Sequence, residues 1–233
     1  MTRRRGAEAT ERSDRGADSG SPGDPTMPIL HLPTLIHEVL DVPRHLIYFI
    51  GVSIDGFIAG PGGDMSAFPV TPDVVEFLAA EYPETLPSPV RAALGIDVPN
   101  SRFDTVIQGR ATCAAGLAAG VTSPFAHRRQ YVVSRSLGAS PDPAVTLVSD
   151  DPRGFVHDLK QQNGRDIYLA GGGNLAGQLL EGIDRLVVKS YPILLGAGTP
   201  LLTGGPWPVT LELTDSRALT GGTVVSSYAR QDR

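Results

Sequence analysis

The chain has 233 residues, 41% of them hydrophobic, and a formal net charge of -5, which suits one good-sized core in a single domain. The acidic balance excludes global attraction to polyphosphate backbones or anionic membranes, so no nucleic-acid or membrane partner is expected and anion binding has to be local. A single cysteine, Cys113, excludes an intrachain disulfide and a cysteine-based zinc site, and His31, His37, His45, His127 and His157 lack ligand spacing, so no metal is expected.

Residues 1–26 lack apolar periodicity, and their five arginines are offset by five acids, the composition of a disordered tail. Residues 27–44 form an N-terminal extension with a short amphipathic stretch over 34–40. No apolar run reaches the roughly 20 residues of a membrane span. No apolar segment follows the opening arginines, so cytoplasmic localisation is expected.

From His45 onward strands alternate with helices, the pattern of a layered α/β domain. LIYFIGVSI reads as a buried strand. TPDVVEFLAAEY reads as a helix, with Thr71 as N-cap, Pro72 in the first position and Asp73 near the positive end of the dipole. The proline-rich residues 82–103 predict a long connection with one helical turn near 90–94, a length common in functional lids.

The pattern continues with strand DTVIQ, helix ATCAAGLAA, strands QYVVS and VTLVS, helix DPRGFVHDLKQQ and strand DIYLA. GGGNLAGQLLEG is a glycine turn opening a helix. DRLVVKSYPIL is a further strand, and LELTDSRAL and TVVSSYAR, joined through Gly221 and Gly222, form an antiparallel hairpin. Early crossovers and a late hairpin predict a mixed, mostly parallel central sheet.

Three strand ends carry candidate ligand chemistry. In IYLAGGGNLAGQLL, backbone without Cβ atoms lets a ligand approach amides at a helix start, where a diphosphate fits; the same glycines also fit a purely geometric turn. In DTVIQGRAT, Gly109 and Arg110 open a helix and suit a phosphate clamp. In YVVSRSL, Ser134 and Arg135 suit a phosphate monoester such as the 2′-phosphate of NADPH. Each arginine alone also fits an ordinary surface position, but ligands of open α/β sheets gather at the carboxyl ends of strands. A dinucleotide fold of Rossmann type fails, because the glycines are not spaced GxGxxG and no ribose-binding acid follows. In GVSIDGFIAG, Asp55 sits in an Asp-Gly turn at a potential pocket rim, where a carboxylate holds an amine or supplies a proton.

SIDGFIAG, DTVIQGRAT, YVVSRSL, DIYLAGGGNLAGQLL, DRLVVKSYPILLGAGTPLL and the closing GGTVVSSYAR stand in one order over His45 to Arg230. This series resembles the dihydrofolate-reductase-like family that includes the reductase domain of bifunctional riboflavin-biosynthesis proteins. The resemblance implies a three-layer domain over 45–233, with a sheet of roughly eight strands flanked by helices. It also implies NADPH as cofactor, a small-molecule substrate and a homodimer.

Carried over by position, Gly51 and Ile58 resemble the contacts of the nicotinamide carboxamide. Gly109, Arg110 and Thr112 resemble the Gly-Arg-x-Thr opening beneath the phosphates, and Ser134 and Arg135 the 2′-phosphate site. Gly171, Gly172, Gly173, Asn174 and Leu175 resemble the diphosphate turn. Asp55 is similar to a substrate-facing Asp, and Asp73 corresponds either to a first-helix catalytic carboxylate or only to a helix-dipole residue. Cys113, in place of the family's aromatic, and the long segment 65–102 depart from the pattern.

The resulting expectation is an NADPH-dependent oxidoreductase passing hydride to a small pterin- or pyrimidine-like heterocycle. Two alternatives stay open. A riboflavin-pathway ribosylaminopyrimidine reductase needs a second basic pocket, for which 65–102 offers Arg91 and Arg102. A non-catalytic nucleotide-binding module keeps the cleft without the chemistry.

Overall fold

The computed structural model describes residues 43–205 and 208–231, so the tail and nearly all of the extension expected before residue 45 lie outside the described residues. The domain opens with strands β1 (Leu46–Ser53) and β2 (Phe57–Ala59), then helices α1 (Pro72–Glu81) and α2 (Ser88–Ala93). Next come β3 (Phe103–Gly109), α3 (Arg110–Ala118), β4 (Arg129–Val133), β5 (Val145–Val148), α4 (Pro152–Lys160) and β6 (Asp166–Leu169). The remainder is α5 (Gly173–Gln178), β7 (Arg185–Tyr191), β8 (Thr199–Pro200), β9 (Leu211–Ala218) and β10 (Val224–Arg230). Among the described residues no helix is long and apolar enough to cross a membrane.

Eight strands form one sheet in the order β5-β4-β3-β6-β1-β7-β10-β9. Pairing is parallel from β5 through β7 and antiparallel where β10 joins β7 and β9. This is the mixed sheet with a closing hairpin that the sequence pattern predicts. β1 is central, and most of its side chains are buried on both faces, which is why LIYFIGVS is nearly continuously apolar. The hairpin turns at Gly222, whose φ of 86° suits glycine. A small second sheet, β2 with β8, had no strand-length signature in the sequence.

Helices cover both faces. On one, α4 and α5 bury Val156, Leu159, Leu175, Ala176 and Leu179 against Leu46, Tyr48, Ile107 and Leu169. On the other, α1 packs Val74 and Leu78 over Ile47, Phe49, Val187 and Val225. α3 shares the α1 face: Cys113 packs on Val132, whose strand neighbours Tyr131 and Val133 point to the α5 side.

Local details differ from the sequence reading in two places. Thr71 occupies the N-cap position of α1, but its side chain makes no capping hydrogen bond. Residues 82–102 are pinned. The fully buried Glu84 accepts hydrogen bonds from the Ser101 amide and from the Arg102 amide at 2.8 Å, while Ser88 and the Glu84 carbonyl hold His127. The long connection is therefore fastened along its length rather than free-standing.

α5 approaches the loop after β8 so closely that a Cβ at Gly177 would overlap the Thr203 carbonyl. Gly177→Ala is expected to cost about 1–3 kcal/mol and lower the thermal midpoint by roughly 2–10 °C. Gly138→Ala, which has open space around it, is the control. Equal midpoints for the two variants in calorimetry would contradict this packing.

Candidate cofactor and substrate site

The chain leaves β3 and β6, which are adjacent, in opposite directions: α3 goes to one face of the sheet and α5 to the other. The divergence opens a crevice at the carboxyl ends of the two strands, the general position of ligands in open α/β sheets. Its floor is fixed by a hydrogen bond from the Gly109 amide to the Gly171 carbonyl at 2.8 Å.

A groove of about 900 Å³ occupies this crevice. It brings together Gly109, Arg110, Ser134, Arg135, Gly172, Gly173, Asn174 and Leu175 from the expected set. Ile58, Thr112 and Gly171 adjoin it rather than line it. Thr112 Oγ1 and Ile58 Cδ1 lie 4.0 and 3.8 Å from where a Gly172 Cβ would stand. A Cβ at Gly172 would meet nothing nearer, so this backbone is open to a ligand, and Gly171 turns with φ 109°. Gly51, by contrast, is covered on its side-chain face by Tyr191, whose Cε2 is 2.9 Å from the Cβ position.

The glycine turn does more than one job. A Cβ at Gly173 would overlap the Pro200 carbonyl, so that glycine is required by packing whether or not a ligand binds. Leu175 is core, and the Asn174 carboxamide accepts a hydrogen bond from Gln178 at 2.8 Å. What these residues offer the groove is backbone: α5 has Gly172 at its N-cap and no side-chain cap, leaving its first amides free for an acceptor.

Arg110 and Arg135 are exposed at the groove and make no side-chain hydrogen bond or ion pair among the described residues. Ser134 is buried, and its hydroxyl oxygen accepts from the Leu137 amide at 3.0 Å and the Ser136 amide at 3.2 Å. Its hydrogen remains available to a ligand oxygen. Asp150 and Asp151 line the same groove, and Asp151 is occupied as the N-cap of α4 through Gly154. The groove is therefore positive on its β3 and β4 side and acidic after β5.

Neither carboxylate singled out in the sequence lines this groove. Asp55 reaches the loop after β7, accepting from the Leu195 amide at 3.1 Å and the Gly196 amide at 2.7 Å. The nearby Ser53 hydroxyl, otherwise directed at the Phe57 carbonyl, and those two amides hold the Asp55 carboxyl below the usual range. Asp73 accepts from the Gly221 amide at 2.6 Å and from Thr220, tying α1 to the β9–β10 turn. Its carboxyl is also lowered, by the adjacent Thr71 hydroxyl, which lacks a well-formed hydrogen bond, and by the Gly221 amide. Both acids stay ionised at neutral pH and are poorly suited to donate a proton; each serves first as a structural clasp.

Two basic groups on the α1 face escaped the sequence reading. Arg128, 7% exposed, lies between the Phe125 ring at 4.5 Å and the Tyr168 ring at 5.1 Å, with no hydrogen-bond partner for any guanidinium nitrogen among the described residues. Burial pushes it down to about 10, so it stays charged. Arg91 lies buried in the same region, as does Glu84, whose Oε2 is unpartnered. Lys189, on β7 beside Gly51, places its Nζ 5.0 Å from the Phe49 ring centroid. The signal for Lys189 was present: a lysine inside the apolar run LVVKSY. Arg128 in AHRRQ gave none. A second groove, also about 900 Å³, lies at the opposite, amino end of the strands among Arg102, Arg165, Arg185 and Arg217, away from the divergence point.

The strand order, diverging helices and cleft define a dihydrofolate-reductase-like fold. Dihydrofolate reductase from Enterococcus faecalis, complexed with NADP(H) and RAB-propyl, superposes with a TM-score of 0.59 at 14% identity over 82% of this chain and 100% of that one. A protein from Shewanella sp. PV-4 described as a riboflavin biosynthesis protein gives 0.62 at 23% identity over 81% of this chain and 100% of that one. The Thermotoga maritima diaminohydroxyphosphoribosylaminopyrimidine deaminase/5-amino-6-(5-phosphoribosylamino)uracil reductase gives 0.56 at 14%, with 81% of this chain matched to 57% of that longer one. The RibD C-terminal domain model matches residues 44–225, and the chain belongs to that family. It is also 27% identical over 160 residues to the uncharacterised Bacillus subtilis protein YwjB, spanning 68% of this chain and 82% of YwjB.

The Asp55 clasp is testable through pH. A depressed carboxyl stabilises its contact above the usual Asp range and loses it as pH falls through the lowered value, below about pH 4. In wild-type protein the Leu195 and Gly196 amides should stay protected from exchange at pH 5 and lose protection under strong acid. Asp55→Asn should lower their protection already at pH 5, and unchanged exchange would rule out the clasp.

Proposed function

We propose that the chain is an NADPH-dependent reductase that passes hydride to a small heterocycle of pterin or pyrimidine type. The observation that carries this reading is the convergence of unpaired Arg110 and Arg135, the Ser134 hydroxyl and the open backbone at Gly172 on one groove at the β3–β6 divergence.

The donor set fits the cofactor. The opening amides of α5 and the Arg110 guanidinium would hold the diphosphate, and Arg135 with Ser134 the 2′-phosphate. Ile58 and Gly51 would flank the nicotinamide end. When bound, the cofactor supplies the hydride; the protein positions the acceptor ring, excludes water and supplies a proton. The α1 face of the sheet, from Phe49 and Gly51 to Tyr191, forms the substrate side. We assign Asp55 and Asp73 to positioning on that side, because their carboxyls are held ionised.

A second reading is reduction of a ribosylaminopyrimidine phosphate, the kind of substrate named for the Thermotoga maritima relative. Turnover of that pyrimidine without turnover of dihydrofolate would favour this reading, and the reverse result the pterin one.

Titration of NADPH fluorescence should show saturable binding at micromolar cofactor and weaker binding of NADH. Arg135→Ala should weaken NADPH by about tenfold or more and leave NADH nearly unchanged. Equal affinities for the two cofactors, or no loss in Arg135→Ala, would overturn the 2′-phosphate assignment.

A further inference from the structure

Of the chain's 20 basic residues only Lys160 and Lys189 are lysines. Lys160 is satisfied at the amino ends of the strands, where Nζ donates to Asp184 at 2.7 Å and to the Gly182 carbonyl at 3.3 Å. Lys189 has no ion pair or side-chain hydrogen bond among the described residues. It is flanked in the sheet by Gly51 on β1 and Val225 on β10, and it shares a face with Val187 and Tyr191.

Part of Lys189 remains open to solvent, yet apolar groups dominate around its ammonium, and burial pushes it down to about 8. The charges on the neighbouring elements are engaged elsewhere. Arg217 on β9 stacks over Phe77 and pairs with Glu81 of α1 at 3.7 Å, and Asp73 is held by the Gly221 amide. Tyr191 on β7 is raised by burial and then by Asp73. None of these groups offsets the cost of the Lys189 ammonium. A half-buried, unpaired charge in an otherwise apolar strand is expensive to keep, and a chain that uses arginine for nearly every other positive charge has lysine here. Lysine differs from arginine in being able to give up its proton near neutral pH.

We propose that Lys189 meets the substrate ring: its ammonium donates to an imine nitrogen beside the carbon that is reduced, and delivers the proton there. The proposal rests on the reductase reading and deepens it. As the C=N carbon accepts hydride with its electron pair from the reduced nicotinamide, the π bond opens onto nitrogen, which takes the proton from Nζ. The ring gains two electrons, the nicotinamide loses two, and the neutral amine is recharged from water. An ammonium presented to the ring selects rings offering an acceptor, such as oxopterins or oxopyrimidines, over protonated diaminopyrimidines.

Protein carrying 13C-lysine gives two side-chain environments, assigned by the loss of one in Lys189→Met. The Lys189 signal should titrate near pH 8, and 6,7-dimethylpterin should move it and raise its midpoint. 2,4-Diaminopyrimidine should bind at least tenfold more weakly than the pterin. Lys189→Met, which removes a desolvated charge, should melt no lower than wild type and lose pterin affinity. Lys189→Arg should keep pterin binding within about threefold, cut kcat with a dihydropterin at least 100-fold and abolish the fall in kcat above about pH 8. A pterin that leaves the lysine signal unmoved, or Lys189→Arg with full turnover and an unchanged pH profile, would overturn the proposal. NADPH quenching should be the same in both variants. Its absence in wild type would defeat the reductase reading itself, whereas intact quenching with an unmoved lysine signal defeats only the role of Lys189.

Discussion

The site depends on one topological constraint: β3 and β6 are neighbours whose following helices lie on opposite faces of the sheet. Strands at such a point cannot be capped from above by their own connections, so their carboxyl ends stay open. The hydrogen bond from Gly109 to the Gly171 carbonyl keeps the two ends in contact at the base of the gap. Arg110 and the free amides of α5 then lie on either side of the same opening, although about 60 residues separate them in the chain.

The two sides of the molecule handle charge differently. At the groove beyond β3 and β6 the arginines are exposed and unpaired among the described residues. On the α1 face the basic groups are partly or wholly desolvated, and Arg128 is sandwiched between aromatic rings. Desolvation at these positions is tolerable only where the charge has a task or where packing compensates, and the stacked rings supply part of that compensation for Arg128. The wall formed by residues 82–102 is fastened through Glu84 and His127 before anything binds.

Much of this was legible in the sequence because the chemistry is local. Gly109–Arg110 and Ser134–Arg135 follow apolar strands directly, and the three glycines at 171–173 follow another, so their placement at strand ends could be read from a few residues. What was not legible depends on distant partners. Asp55 looked like a pocket-rim acid because nothing near it announces the Leu195 and Gly196 amides that clasp it. Gly173 looked like a ligand glycine, although the Pro200 carbonyl already requires it. Arg128 sits beside Arg129 in the sequence, yet one is buried and the other exposed, a difference set by Phe125 and Tyr168 rather than by spacing.

The loop from 195 to 205 touches nearly every part of this arrangement. Leu195 and Gly196 clasp Asp55, Thr199 and Pro200 pair with β2, and the Leu201 amide donates to the Gly56 carbonyl. The Leu201 carbonyl accepts from Tyr48, and the carbonyls of Pro200 and Thr203 lie directly against Gly173 and Gly177 of α5. One continuous strap thus runs from the Asp55 turn to α5. Whatever stiffens the strap at one extremity lowers the entropy still to be lost at the other, which couples the Asp55 turn to the start of α5 without any shift of the sheet beneath.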